Sequence, residues 1–463
     1  MGLNGLYNLA SDAMQANSFA LNVTGQNISN ASTPGYVRRS AILETQVAGD
    51  VTYGGVQATG IHRAFDQFTQ ARLYDATGLS SSADSRNGAL ASVEALFNDT
   101  GGTGLAAPIS ALFSSFSALA ANPSDTTTRA NVLSAASNFA QAMSSTSASI
   151  AQQRADMLSQ AQGVASEING YATQIAQYSV QITQAQNAGQ DASDLLDKRD
   201  HLLTSLSQDV DVHTATDGQG QLVVSVAGST LVEGGVASKL SVSTDSSGAM
   251  TLLSQQGNGP LTDVTSHLTG GKLAGLKEAR DVDAVAENQK LDQLAYDIGS
   301  AVNTQHAAGY ALDGSTGHDL FSLGASATGA AATIAVDPSM VGHPELVAAS
   351  SSAATVPGGS DNAVALGNLA TAAIANGGTQ TAADAYANIV GDIGLRKAAA
   401  QQDSDTRGAL TSQVQAMRDS TSGVSLDEEM VNLSRYQSAY SAASKLFSTA
   451  DALMTELLGD VKP

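Results

Sequence analysis

The apolar positions of the last stretch, Gly423 to Leu458, are spaced by sevens. Leu433, Tyr440, Phe447 and Met454 form one row, and Tyr436, Ala443, Ala450 and Leu457 form a second row three residues behind it. That is the a/d seam of a heptad helix. Ser425 with Glu428 predicts a capping box at its start. One apolar stripe alone in water is poorly stable, so the seam needs a partner. The best match lies at the other end of the chain, where Tyr7, Met14, Leu21 and Ile28 are also seven apart, with a weaker row of Leu3, Ala10, Asn17 and Thr24. Two arrangements fit: the ends zip together, or each helix packs on its own local domain.

Between the ends the pattern changes twice. The first helix is expected to stop near Ser29, because Pro34 pushes Thr33 out of the helical region and Gly35 permits a turn with positive φ. Residues 37–63 alternate loosely and read as extended and hairpin-like. Helical spacing returns from Phe65 and is broken at Gly101-Gly102-Thr103-Gly104. A short helix with Ile109, Leu112, Phe113, Phe116 and Leu119 on one face ends at Asn122-Pro123, where Ser124 or Asp125 can cap a long Ala-, Ser- and Gln-rich helix. After a break at Asn187-Ala188-Gly189 comes the helix of Asp194 to Leu203. From Val212 to Thr269 apolar and polar residues alternate between Gly-containing turns, which predicts short strands. Helix resumes at Gly270-Gly271 and again over Asn362–Ile374 and Ala382–Arg418, with 322–360 partly extended or irregular. Helix, strand, helix means a β domain inserted in a helical rod, which favours pairing of the two ends. The fold class expected is mainly α with an inserted β domain. The divisions are 1–64 plus 424–463, 65–211 plus 270–423, and 212–269.

Charge narrows the choice of partner. The chain of 463 residues has 21 basic and 43 acidic residues, a net charge of −22. A phosphate backbone needs clustered Lys and Arg, so nucleic acid is not expected, nor an anionic membrane surface. Cysteine is absent, which removes disulfides and thiolate metal sites. No apolar run is long enough to span a bilayer. The first basic residue is Arg38, too late for the positive region of a secretory signal peptide.

Catalytic patterns are missing. No P-loop, nucleophile elbow or H-E-x-x-H occurs. Gly102-Thr103-Gly104-Leu105-Ala106-Ala107 matches a dinucleotide motif by letter only, since no strand precedes it. Asp313 to Asp319 faintly resembles a calcium loop, but Gly324 stands where the closing Glu belongs, so an Asx-type turn is expected. The histidines are scattered and read as surface or turn residues. Asp427, Glu428 and Glu429 sit where a helix dipole favours acids. No enzyme activity, cofactor or metal is expected.

Both ends nevertheless carry a motif. Asn27-Ile28-Ser29-Asn30-Ala31-Ser32-Thr33-Pro34-Gly35-Tyr36 resembles the signature of flagellar rod, hook and hook-associated proteins. Leu426-Asp427-Glu428-Glu429-Met430, with Gln437, Ala439, Tyr440 and Ala442, is similar to the matching end motif. Within that axial family the middle resembles the hook-associated protein 1 (hook–filament junction) members. The matching stretches are Asn122-Pro123-Ser124-Asp125, Leu195-Leu196-Asp197-Lys198-Arg199-Asp200, Gly270 to Leu276, Asn303-Thr304-Gln305-His306 and Gly314 to Phe321. The match is poorest over 322–380, and the chain looks short for the family, so a smaller outer domain is expected. The resemblance implies a structural junction subunit. Its terminal helices form an inner coiled-coil tube, assembled as a homo-oligomeric ring; the rod forms the next shell, and the β domain faces outward. It implies the hook protein on one side, hook-associated protein 3 on the filament side, and a flagellar export chaperone holding the C-terminal helix in the cytoplasm. Localisation would be the extracellular flagellum, reached through the flagellar type III system without a cleaved signal peptide. Asn27, Asn30, Thr33, Pro34, Gly35 and Tyr36 would be a corner leading the chain out of the tube. A hook or distal-rod protein of the same family is the first alternative, and an adhesive or hydrolytic module on a helical stalk the second.

Overall fold

The computed structural model describes residues 3–48, 51–99 and 104–460, so the Gly101–Thr103 part of the expected break, and with it the Gly102 pattern, lies outside the described residues. The first helix, α1 (Leu3–Asn30), lies along the last. The two are antiparallel: the rings of Tyr7 and Phe447 meet with centroids 4.4 Å apart, while Arg38, just past the end of α1, reaches Glu428 near the start of the last helix. Beside α1 lies a hairpin of β1 (Arg39–Ala48) and β2 (Val51–Arg63), whose register sets Arg39 opposite Arg63. A two-stranded ribbon is marginal by itself, and the face of α1 gives it cover. Helix α1 therefore has two neighbours, which corrects the expected ranking of its rows. The residues fully buried are the small ones, Ala10, Ala16, Ala20, Val23, Thr24 and Asn27, whereas Tyr7, Met14, Leu21 and Ile28 are half-buried. Small side chains sit where three backbones approach closely, and the large ones flank them.

The rod comprises α2 (Gln67–Glu94), α3 (Ala106–Ala121), α4 (Thr126–Asn187), α5 (Ser193–Asp209), α6 (Gly271–Glu278), α7 (Ala284–Ala307), α8 (Ala330–Thr333), α9 (Asp361–Asn368) and α10 (Ala382–Ser422). Helix α4 has 62 residues. At 1.5 Å per residue it is about 90 Å long, and it sets the elongated shape. Asp125 is its cap, accepting hydrogen bonds from the Thr127 and Thr128 N–H groups. One face of α4 is buried throughout, from Val132 and Phe139 through Ile150 and Ile168 to Ile182. Helix α10 lies along α2, joining the second half of the chain to the first. The final helix is α11 (Leu426–Asp460). Between α5 and α6, residues 212–263 form a four-stranded and a three-stranded antiparallel sheet. The Asn169 amide of α4 pairs both ways with the Leu240 backbone, at 2.8 Å each way, and anchors the second sheet to the rod.

Three sequence expectations change. The helix from Gly270 is interrupted by a π turn, Ala279–Asp283, so Asp283 points inward and is fully buried. Its carboxylate meets Arg86 of α2 at 2.8 Å and Arg396 of α10 at 3.2 Å, a cross-link of three elements. Helix α9 ends at Asn368, and turn hydrogen bonds carry the chain on through Ala372. His306 is a core histidine rather than a surface one. Its Nδ1–H donates to the His318 carbonyl at 2.6 Å and its Nε2 accepts from the Ala348 N–H at 3.0 Å. Among the described residues no helix is long and apolar enough to cross a membrane, and no group of His, Asp and Glu has the arrangement of a metal site. The 313–319 segment opens with an Asx turn, in which Asp313 accepts from the Ser315 N–H at 2.8 Å.

Candidate functional site at the corner of arm and rod

The corner begins where α1 runs out. Asn30 ends the helix with its Nδ2 on the Gln26 carbonyl at 3.0 Å, and its own carbonyl accepts the Thr33 N–H at 2.9 Å. Pro34 and Gly35 form the middle of a turn closed by the Tyr36 N–H on the Thr33 carbonyl at 3.2 Å. Gly35 has φ +80°, a left-handed conformation that side-chain-bearing residues avoid. A Cβ on Gly35 would lie 3.2 Å from Cβ of His201 on α5.

Asn27 holds the corner from inside. It is buried; its Nδ2 donates to the Arg39 carbonyl at 2.7 Å, and its Oδ1 accepts the Arg39 N–H at 3.1 Å and the Tyr36 hydroxyl at 2.9 Å. The side-chain amide thus mimics a strand partner for the first residue of β1. The Arg39 guanidinium stacks over the Tyr36 ring, 4.9 Å from its centroid. Burial pushes the Tyr36 phenol upward, against the lowering pull of Arg39.

Below the corner, α5 presents three acids three residues apart. Arg39 reaches Asp194 at 2.7 Å and Asp197 at 2.5 Å, and Arg63 reaches Asp197 at 2.5 Å and Asp200 at 2.9 Å. Two arginines from opposite strands of one hairpin therefore straddle three rungs of one helix. Burial works against the charge of Arg39, but the hydrogen bonds to Asp197 and Asp194 outweigh it and hold the pKa above the ordinary value. Burial raises Asp200, and Arg63 and Arg199 pull the other way. Arg38 completes the joint, with its N–H on the Ser422 carbonyl at 2.8 Å and its guanidinium on Glu428 at 2.6 Å.

At the start of α11, Ser425 accepts the Glu428 N–H at 3.4 Å, but the Glu428 carboxylate is turned to Arg38. Leu426 and Met430 are exposed, at 52% and 56%, and Glu429 is buried. Along α11, Leu433, Tyr436, Phe447 and Met454 are half-buried, while Tyr440 is 36% and Leu457 59% exposed. The antiparallel register sets Tyr7 at Phe447, so among the described residues Leu457 lies past the first turn of α1. The deepest seam positions are Ala443 and Ala450.

The arginines that make the joint, Arg38, Arg39 and Arg63, carry no heptad or motif signal. What marks them is place: two directly after the Pro-Gly turn, one at the far end of the hairpin. The three-residue spacing of Asp194, Asp197 and Asp200 was the visible half of the ladder.

Comparison with known proteins places these features. A profile of the flagellar hook-associated protein FlgK helical domain matches residues 90–321. Profiles of the flagellar basal body rod FlgEFG protein C-terminal region and of the flagella basal body rod protein match 415–459 and 7–36. The chain is 27% identical to flagellar hook-associated protein 1 of Salmonella typhimurium over 551 aligned positions, which cover 98% of this chain and 100% of that protein. The alignment is longer than the chain, so the Salmonella protein has segments this chain lacks. The Bacillus subtilis protein of the same name is 25% identical, with 96% of each chain covered. The solved flagellar hook junction protein FlgK from Burkholderia pseudomallei shares the fold, with a TM-score of 0.67 at 19% identity over 76% of this chain and 100% of that one.

Proposed function

Because the chain belongs to the flagellar hook-associated protein FlgK family, we propose that it is a structural subunit of the bacterial flagellum that forms the junction between hook and filament. Residues 1–64 with 424–463 make the inner terminal unit, 65–211 with 270–423 the rod, and 212–269 the outer β domain. Copies join as a ring through the terminal helices, with hook protein on one side and hook-associated protein 3 on the other. The chain is exported by the flagellar type III route, and a chaperone holds α11 beforehand. The role is structural rather than enzymatic, and the family supports that.

The observation that carries the reading is a second apolar stripe on α11. Leu446 and Leu453, seven residues apart, are each 45% exposed, and Leu457 one turn further is 59% exposed. This stripe flanks the seam that packs on α1, and its side chains are only partly covered. In a lone subunit it is in water, and a contiguous exposed apolar stripe marks an interaction surface.

The test is the double variant Leu446→Ser, Leu453→Ser in a strain lacking the chromosomal copy. Circular dichroism of the purified variant should match the parent, since neither side chain is in the seam. Cells should build complete hooks yet shed filament subunits into the medium. Attached filaments and normal swimming would sink assembly through this stripe. A strain without the protein that also fails to complete its hook would point instead to a hook or distal-rod protein.

A further inference from the structure

We propose that Asn376, in the turn between α9 and α10, is a site of spontaneous deamidation that the fold leaves open while closing the others. The reaction is an attack by the next backbone nitrogen on the side-chain carbonyl. It is fastest before glycine, where no Cβ stands in the way. It is slowed when that N–H is already held in a hydrogen bond. Outside α1, four asparagines precede a glycine: Asn87, Asn169, Asn258 and Asn376. Asn87-Gly88 and Asn169-Gly170 lie inside α2 and α4, where each N–H is tied to the carbonyl four residues back. Gly259 donates its N–H to the Gln256 carbonyl at 2.9 Å. Gly377 differs from all three. It is exposed, and among the described residues nothing accepts its N–H.

The surroundings suit the chemistry. Asn376 is exposed and borders a cleft between α7 and α10, lined also by Leu294, Asp297 and Ile389, so water enters and ammonia leaves freely. Its own N–H donates to Asp297 of α7 at 2.8 Å, and its carbonyl accepts the Thr379 hydroxyl at 2.8 Å. The step needs only water. The Gly377 nitrogen loses its proton to solvent base and bonds to Cγ of Asn376; the Cγ–Nδ2 bond breaks, and the amide leaves as ammonia after taking up a proton. One water then opens the five-membered imide. Opening at Cγ gives aspartate with the chain unchanged. Opening at the backbone carbonyl gives isoaspartate, whose main chain runs through Cβ and Cγ and is one carbon longer. Either product sets a carboxylate beside Asp297, and like charges repel. The longer one also strains the turn in which the Gly378, Thr379 and Gln380 N–H groups share the Ala375 carbonyl. The converted fraction records the age of the folded chain, and the turn leading into α10 loosens as it grows. The inference does not depend on the function proposed above.

The test ages the purified full chain in mildly alkaline buffer, which speeds the attack, and reads each Asn-Gly peptide by mass spectrometry after digestion. Labelling with an isoaspartyl methyltransferase marks the longer product in the same peptides. Conversion at Asn376 should lead. Asn258 should trail by about fivefold, the factor set by one ordinary hydrogen bond. Asn87 and Asn169 should trail further, since a helix must open before they react. In urea, with the fold gone, the four rates should converge. Asn376→Gln should leave its peptide unconverted and unmethylated, because the longer side chain closes a ring far more slowly. An intact Asn376 in the aged chain would overturn the proposal. So would faster conversion at Asn258, Asn87 or Asn169, the same ranking in urea, or a methylated 376 peptide in the Asn376→Gln chain.

Discussion

Replacing Gly35 puts a cost on the corner and almost nowhere else. Its φ of +80° lies in the left-handed region, where an L-residue loses roughly 1–2 kcal/mol. A Cβ would also press on His201 Cβ at 3.2 Å, closer than ordinary contact, so the turn or α5 must shift by a few tenths of an ångström. For Gly35→Ala we expect about 1–2 kcal/mol in total. Gly35→Val adds a branched side chain that tolerates this backbone poorly, and the cost rises to about 2–4 kcal/mol. At 1.4 kcal/mol per factor of ten, the equilibrium constant for the native corner falls roughly 30- to 1,000-fold relative to the parent. The rod should not notice, because its core is formed by α2 to α10 and Gly35 meets only the flank of His201. Three measurements decide it: the melting curve of the purified variant, swimming in soft agar, and filament subunit in the culture supernatant. The expected result is a parental melt, graded loss of swimming from Ala to Val, and shed subunits for Val. Full motility with Gly35→Val refutes the argument, and so does a rod that melts early.

Two further predictions concern the rod. Burial lowers the pKa of His306 from 6.5 to about 4, and the ring is neutral in the fold. The unfolded chain takes up this proton near pH 6.5, so the contribution is complete above that value, falls as the pH drops toward 4, and is flat below. The loss is about 3 kcal/mol, and denaturant midpoints of His306→Gln should decline less steeply over that window than those of the parent; parallel slopes would refute it. Asp283→Ala leaves Arg86 and Arg396 without their shared carboxylate in a site where it was fully buried. A loss of about 3 kcal/mol is expected in urea unfolding, the lower end for a broken buried pair because both arginines are partly hydrated. A loss below about 1 kcal/mol would show that the cross-link is not needed.

Local signals were enough for much of the architecture. Heptad spacing marked α1 and α11, because a seam repeats within one helix and needs no knowledge of its partner. The Pro34-Gly35 turn was legible because each residue acts on its own backbone. The change from helical to alternating pattern at Val212 located the sheets for the same reason. What stayed hidden depended on who the neighbours are. Ala10, Ala20 and Thr24 outrank Met14 and Leu21 in burial only because the hairpin adds a third backbone beside α1. Asp283 turns inward only because of a π turn that no residue pattern announced. His306 is a core residue because the carbonyl of His318 and the N–H of Ala348 converge on its ring from other parts of the chain. The ladder of Arg39 and Arg63 on Asp194, Asp197 and Asp200 joins residues more than a hundred positions apart, so its charges show no pairing until the hairpin is laid on α5. Periodicity and turn chemistry determined the elements, since those forces act over a few residues. The tertiary structure alone decided the joint, since opposite charges find each other only after backbones have been brought together.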